Sequence, residues 1–301
     1  MPKIITVTLN TAIDALIREC DYNKFGLDTA YMEMIPAGKG LNVSRALASL
    51  SVPSRAFAFV GIRQQQLYDT ISYDLCDITY HYVDEDTRTN VTITECKDGQ
   101  EHHTRQPGYH LNTGDIVALK SYLLGNITVG DYVIMTSSVP TDSPVDIYFD
   151  LINYAKNLGA ICILDTSGDA LMEGIKASPY LIKPNREELS HIYGKPFESL
   201  SEIKLYMKTL ASKYSIHFIL TSLSEEGAIL YDSQTGQFTS CEAVKVTAPV
   251  ITSVGCGDSC LAGFVAGLVQ NKPIEYCLKY SMEAGCANLY TKIPGELFLK
   301  K

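Results

Sequence analysis

Short runs of β-branched and aromatic residues recur along the chain: Ile4-Ile5-Thr6-Val7-Thr8-Leu9, Ala56-Phe57-Ala58-Phe59-Val60, Tyr132-Val133-Ile134-Met135, Ile161-Cys162-Ile163-Leu164 and Phe218-Ile219-Leu220. Their hydrophobicity is nearly continuous rather than alternating, which marks strands covered on both faces. Between them, residues 41–50, 145–158, 200–213 and 259–269 carry apolar side chains at helical spacing. Strand and helix therefore alternate, predicting an α/β fold in which helices wrap a mostly parallel sheet. Two stretches depart from this pattern. Residues 12–35 alternate polar with apolar, and 89–104 read as two strands around Asp98-Gly99, a hairpin turn signal. Both predict half-exposed antiparallel strands, joined as a small sheet that projects from the body as a lid over a site at the strand ends. With no repeat, low-complexity tract or long linker, residues 1–301 are expected to form one domain, with lid segments at about 12–35 and 89–105.

Composition narrows the function classes. With 46% hydrophobic residues the chain can bury a large core without an external staple. Its 25 Lys plus Arg against 34 Asp plus Glu give a net charge of −9, which excludes a broad surface for nucleic acid or anionic lipid but leaves a local site for a small anion. The closest pair of its nine cysteines, Cys256 and Cys260, misses the Cys-x-x-Cys spacing of zinc ribbons and redox motifs. Their scatter points to a reducing, cytoplasmic setting. Met1-Pro2-Lys3 leads straight into a strand rather than a secretory signal, and the longest apolar stretch, 261–269, falls far short of the ~20 residues that span a bilayer. A soluble protein is expected.

Three segments carry candidate chemistry. The first is Thr252-Ser253-Val254-Gly255-Cys256-Gly257-Asp258-Ser259, opening a helix rich in small residues. Glycines here leave backbone N–H groups free to converge on an anion, and the helix start adds its positive dipole end. Such a cradle suits charge developing on a transferring phosphoryl group, with Asp258 placed to accept a proton from an attacking hydroxyl. As a bare tetrapeptide, Gly-x-Gly-Asp also describes a capped turn. The second segment, Ala37-Gly38-Lys39-Gly40-Leu41-Asn42, sets small residues, one cation and one amide at a loop-to-helix junction. It is not a P-loop, because Gly rather than Ser or Thr follows Lys39. It equally describes a glycine turn before a helix. In the third, Leu181-Ile182-Lys183-Pro184-Asn185-Arg186-Glu187-Glu188, a strand runs through Pro into a helix start. Asn185 and Glu188, three apart, offer oxygens on one face that suit Mg²⁺, and equally form an N-cap pair.

Taken in order, these segments resemble the PfkB (ribokinase-like) family of carbohydrate kinases along nearly the whole chain. Thr8-Leu9-Asn10-Thr11-Ala12-Ile13-Asp14 and Thr87-Arg88-Thr89-Asn90-Val91-Thr92-Ile93 are similar to the branch that includes 1-phosphofructokinase and tagatose-6-phosphate kinase. The resemblance implies a three-layer α/β/α fold with a β lid, and ATP with Mg²⁺ as cofactors. It implies catalysis by Asp258 as base with Gly255, Cys256 and Gly257 as anion hole. It implies substrate binding by Asp14, Gly38, Lys39, Asn42, Arg88 and Asn90, the Arg suited to the phosphate already on the sugar. Lys183, Asn185, Ser222 and Gly227 fall on the nucleotide side, and Asn185 with Glu188 on the metal. The implied activity is phosphorylation of a ketohexose monophosphate, fructose 1-phosphate first and tagatose 6-phosphate second, with a homodimer through the lids as a further expectation. Arg105, His102 and His103 read as exposed.

The chain departs from the family pattern at Ala37-Gly38, where two glycines are usual, and at Ile62-Arg63-Gln64-Gln65-Gln66, where a glycine-rich turn is common. It departs again at Thr136-Ser137-Ser138-Val139-Pro140, in place of Ser-Gly-Ser-hydrophobic-Pro, and at Ser224, which replaces a common glycine. The altered loop at Arg63-Gln64-Gln65-Gln66 and Ser224 motivate a rival reading, a noncatalytic sugar-phosphate sensor. The retained Asp258 and its glycines oppose it. A dinucleotide-binding oxidoreductase ranks last, since no Gly-x-Gly-x-x-Gly follows the first strand.

Overall fold

A computed structural model describes residues 2–19, 30–94 and 101–298. In chain order its strands are β1 (Ile4–Thr8), β2 (Ala12–Glu19), β3 (Ala30–Ala37), β4 (Ser54–Gly61), β5 (Cys76–Val83), β6 (Arg88–Thr94), β7 (Glu101–Arg105), β8 (Tyr132–Thr136), β9 (Ile161–Asp165), β10 (Leu181–Ile182), β11 (Phe218–Ser222), β12 (Ala228–Asp232) and β13 (Gln237–Cys241). The helices are α1 (Lys39–Ser49), α2 (Gln65–Tyr68), α3 (Thr113–Asn126), α4 (Ile147–Asn157), α5 (Gly168–Gly174), α6 (Arg186–Tyr193), α7 (Leu200–Tyr214), α8 (Cys256–Val269) and α9 (Ile274–Asn288).

A nine-stranded sheet in the order β13-β12-β11-β10-β9-β8-β1-β4-β5 forms the body. From β11 to β5 every neighbouring pair is parallel, and β12 and β13 extend the β11 edge antiparallel. The pleat explains why the strand runs are apolar throughout. Ile5, Val133 and Met135 join the core under α4 and α7, whereas Ile4, Tyr132 and Ile134 join the opposite core under α1, α8 and α9. Successive side chains thus serve different layers. A fully buried Leu or Ile contributes about 1.5–3 kcal/mol by leaving water, and Leu47, Leu151, Leu261 and Leu278 supply it on the helix side.

A second sheet has the order β3-β2-β6-β7. Its β2–β3 and β6–β7 pairs are antiparallel, but the central β2–β6 pair is parallel, in the register Ala12↔Arg88 and Asp14↔Asn90. The expectation of antiparallel strands fails at this seam for a topological reason. β2 continues from β1 and β6 follows β5, and both feeder strands run in the same direction in the main sheet. The Asp98-Gly99 turn and residues 20–29 lie outside the described residues.

From β1 the chain builds toward β4 and β5, then returns to β8 on the other side of β1. The carboxyl ends of β1, β8, β9 and β10 consequently face a crevice at this switch point, where open α/β sheets bind ligands. The small sheet stands beside it. No helix among the described residues is long and apolar enough to cross a membrane.

Candidate active site

A cleft of about 570 Å³ opens between the strand ends and the small sheet, a size suited to small molecules. It gathers Asp14, Gly38, Lys39, Asn42, Arg88, Asn90, Lys183, Asn185, Glu188, Ser222, Gly255, Gly257 and Asp258, which the sequence scatters over more than two hundred positions. An adjoining hollow of about 510 Å³ shares Asn185 and Glu187 and runs along Leu223–Glu226.

One wall is the start of α8. Gly255 caps it in the left-handed region at φ 87°, and a side chain there would press to 2.8 Å from Pro294, so conformation and space both demand glycine. The Cys256 N–H folds back on the Ser253 carbonyl at 3.2 Å, and the Gly257 and Asp258 N–H groups precede the first intrahelical bond, from Ser259 to the Gly255 carbonyl. Asn288, fully buried on α9, pins the turn from behind by donating to the Val254 carbonyl at 2.8 Å and accepting the Gly295 N–H at 2.7 Å. Asp258 sits in the first turn, buried, and accepts a 2.8 Å hydrogen bond from Asn42 Nδ2 of α1. Burial pushes its carboxyl up to about 6, opposed by Lys39, Asn42 and Lys183 and assisted by Asp165.

Asp165 ends β9 and is the group that sequence reasoning missed. Its buried carboxylate lies 3.8 Å from Lys39 Nζ and 3.4 Å from Lys183 Nζ, so one acid sets both ammonium groups at the cleft floor. Burial alone pulls the Lys183 ammonium down, but the groups around it, Asp165 foremost, outweigh that and push it up to about 12. Lys183 therefore stays charged. A Cβ at Gly257 would lie 3.5 Å from its Nζ, which places Lys183 under the glycine turn.

The opposite wall belongs to the small sheet. Asp14 is buried and accepts a 3.0 Å hydrogen bond from its register neighbour Asn90. Burial raises its pKa, while Asn90 and Arg88, Arg105 and Arg45 pull the other way. Arg88 donates to the carbonyls of Thr11, Gln106 and Asn10 at 3.2–3.3 Å. Three of its five N–H groups are thus used in holding the guanidinium, and two remain for a ligand. Arg105 pairs with Asn90 across β6 and β7 and, though exposed, lines the cleft, as does His103.

Some expected placements change. Gly227, assigned to the nucleotide side, does not line the cleft. Its φ of 93° turns the chain between β11 and β12, and a Cβ there would strike the Cys241 carbonyl at 2.0 Å, so its glycine serves the hairpin. Cys256, expected in the anion hole, is not among the residues that line the cleft, and its N–H donates to the Ser253 carbonyl at 3.2 Å. Its sulfur accepts from Asn288 Nδ2 at 3.4 Å, and burial pushes the thiol up to about 12. Asn185 and Glu188 close a reciprocal capping box on α6, the Glu188 N–H donating to Asn185 Oδ1 at 2.8 Å and the Asn185 N–H to Glu188 Oε2 at 2.9 Å. Both still line the cleft.

The model of the pfkB family carbohydrate kinases matches residues 7–294. A 1-phosphofructokinase of Bacillus subtilis is 31% identical over 294 residues, covering 97% of this chain and 94% of that protein. A tagatose-6-phosphate kinase of Staphylococcus epidermidis is 29% identical over 302 residues, covering 98% and 94%. Among solved structures, phosphofructokinase-2 from Escherichia coli superposes with a TM-score of 0.87 at 23% identity, covering 98% of this chain and 95% of that one. Arabidopsis thaliana ribokinase does so with a TM-score of 0.73 at 19% identity, covering 98% and 95%.

Proposed function

The chain belongs to the pfkB family of carbohydrate kinases and is a sugar kinase, and on that premise we propose that it transfers the γ-phosphoryl group of ATP to a free hydroxyl of fructose 1-phosphate. The observation that carries the reading is the Asp258 carboxylate. It is buried, held by Asn42, flanked by two lysines and set in the first turn of α8 beside the Gly255–Gly257 backbone.

In this reading Asp14 and Asn90 orient sugar hydroxyls, and the two N–H groups left on Arg88 take the phosphate already present, with Arg105 adding charge. Lys39 and Gly38 close the sugar side. Asp258 accepts the proton of the attacking hydroxyl, and a carboxyl near 6 is ionised yet basic enough for that task at neutral pH. Negative charge on the moving phosphoryl oxygens meets the α8 N–H groups and the Lys183 ammonium, both fixed beforehand, so little reorganisation is required. The nucleotide lies along Ser222 and the adjoining hollow. The small sheet acts as a lid that excludes water from the reaction.

Mg²⁺ fits the residues present. Glu188 spends Oε2 on the Asn185 N–H, leaving Oε1 in a hard-oxygen wall of the kind that holds Mg²⁺ jointly with phosphates. When bound, the ion neutralises charge building on the phosphoryl oxygens.

Coupled ADP release with Mg-ATP and fructose 1-phosphate, tagatose 6-phosphate, fructose 6-phosphate, fructose and ribose tests the proposal. Turnover greatest on fructose 1-phosphate is expected, and no turnover on any phosphosugar leaves only the sugar-phosphate sensor. The tagatose-6-phosphate kinase relative supports a second acceptor in the same site. Self-association through the small sheet is a further part of the proposal, supported by Met32 and Met34 of β3, which are 60% and 45% exposed.

A further inference from the structure

Strand β7 is an exposed edge whose residues from His102 to Arg105 face solvent, yet its first residue is tucked away. The Glu101 side chain is only 12% exposed. Its carboxylate accepts hydrogen bonds from Thr252 Oγ1 at 3.0 Å, from the Ser253 N–H at 3.3 Å and from the Ser253 hydroxyl, with His103 Nε2 at 3.7 Å. Thr252 Oγ1 in turn accepts the Val254 N–H at 3.2 Å. One side chain from the small sheet thereby fixes residues 252–254, the segment that leads directly into Gly255 and the anion-binding turn. Asn288 holds that turn from the body, and Glu101 holds it from across the cleft. Three donors converging on one carboxylate are the kind of contact that offsets the rotamer freedom an ordered Glu side chain gives up.

We propose that Glu101 is a positioning residue for phosphoryl transfer. Its docking on Thr252 and Ser253 completes the anion-binding turn when the small sheet covers the cleft, so assembly of the catalytic wall is coupled to closure. The proposal rests on the phosphoryl-transfer reading above.

The test compares Glu101→Ala and Glu101→Gln with Lys292→Ala, which breaks another contact of the small sheet with the body, the exposed 2.8 Å pair between Lys292 and Glu33. Glu101→Ala is expected to lower kcat by about 10-fold or more, within the ~100-fold that small misplacements cost. The ratio of ADP released to sugar phosphorylated should rise, and amide exchange over residues 252–258 should quicken in the substrate-free protein. Glu101→Gln, which keeps an acceptor oxygen, should fall between Glu101→Ala and wild type. Lys292→Ala should stay within about 2-fold of wild type, as an exposed pair contributes little. Unchanged exchange over 252–258, an unchanged kcat in Glu101→Ala, or an equal loss in Lys292→Ala overturns the proposal. A wild-type protein inactive on every phosphosugar overturns the phosphoryl-transfer reading and this proposal with it. An active wild type with an unaffected Glu101→Ala overturns this proposal alone.

Discussion

Two buried carboxylates face each other across the cleft, and each is held by an asparagine amide: Asp258 by Asn42 at 2.8 Å and Asp14 by Asn90 at 3.0 Å. Burial raises both above the usual carboxylate range. Their settings differ in what surrounds the pair. Asp258 stands in the first turn of a core helix, with the ammonium groups of Lys39 and Lys183 and the acid Asp165 close by. Asp14 stands on a strand of the small sheet, with the guanidinium groups of Arg88, Arg105 and Arg45 around it. The first setting suits proton transfer beside a moving charge. The second suits planar recognition of a phosphorylated ligand. The same local device, a buried acid with its amide, is thus set among different charges according to the fold element that carries it, and the proposed split between chemistry and recognition follows that difference.

The comparison breaks most sharply at Lys183. Lys183→Met removes the ammonium under Gly257 and strands Asp165 without one of its two cations, and is expected to lower kcat by about 100-fold or more, as loss of a preorganised charge does. It should also move the pH profile. With Asp258 as the proposed base, activity is expected to need its ionised form and to fall as pH drops through about 6. Since Lys183 pulls Asp258 down, its removal shifts that acid limb to higher pH, whereas the ionisation of the substrate's own phosphate is the same in both proteins. A limb that does not move separates Asp258 from the profile. On the recognition side, Arg88→Ala should raise KM for fructose 1-phosphate by about 10-fold, in line with one charge-assisted contact, and KM for fructose much less. Equal effects on both sugars would remove Arg88 from phosphate recognition.

The body of the fold was legible because its central strands are buried on both faces and leave unbroken apolar runs such as Ile161–Leu164. Helix α9 and the β12–β13 hairpin left weaker patterns, the former because it packs closely against α8 without a clean apolar stripe. The glycine turn at 255–257 and Asp258 were readable as local motifs. What local motifs could not show is partnership across the chain. Asn42 meets Asp258 from 216 residues away, and Glu101 meets Thr252 from 151. Asp165 was invisible for a related reason: an acid at a strand end resembles an ordinary turn residue until Lys39 and Lys183 are seen on either side of it. Asn185 and Glu188 show the converse, a spacing that supports both a metal wall and a capping box, with the box formed in the structure.

The most direct test is steady-state ADP release from fructose 1-phosphate and Mg-ATP by wild type, Asp258→Asn and Asp14→Asn side by side. Asp258→Asn is predicted to lose about 100-fold or more in kcat with KM for the sugar near wild type, the pattern of a lost general base. Asp14→Asn is predicted to raise KM for the sugar by a larger factor than it lowers kcat. A near-normal kcat in Asp258→Asn, or the same split between kcat and KM in both variants, would contradict the division of roles between the two carboxylates.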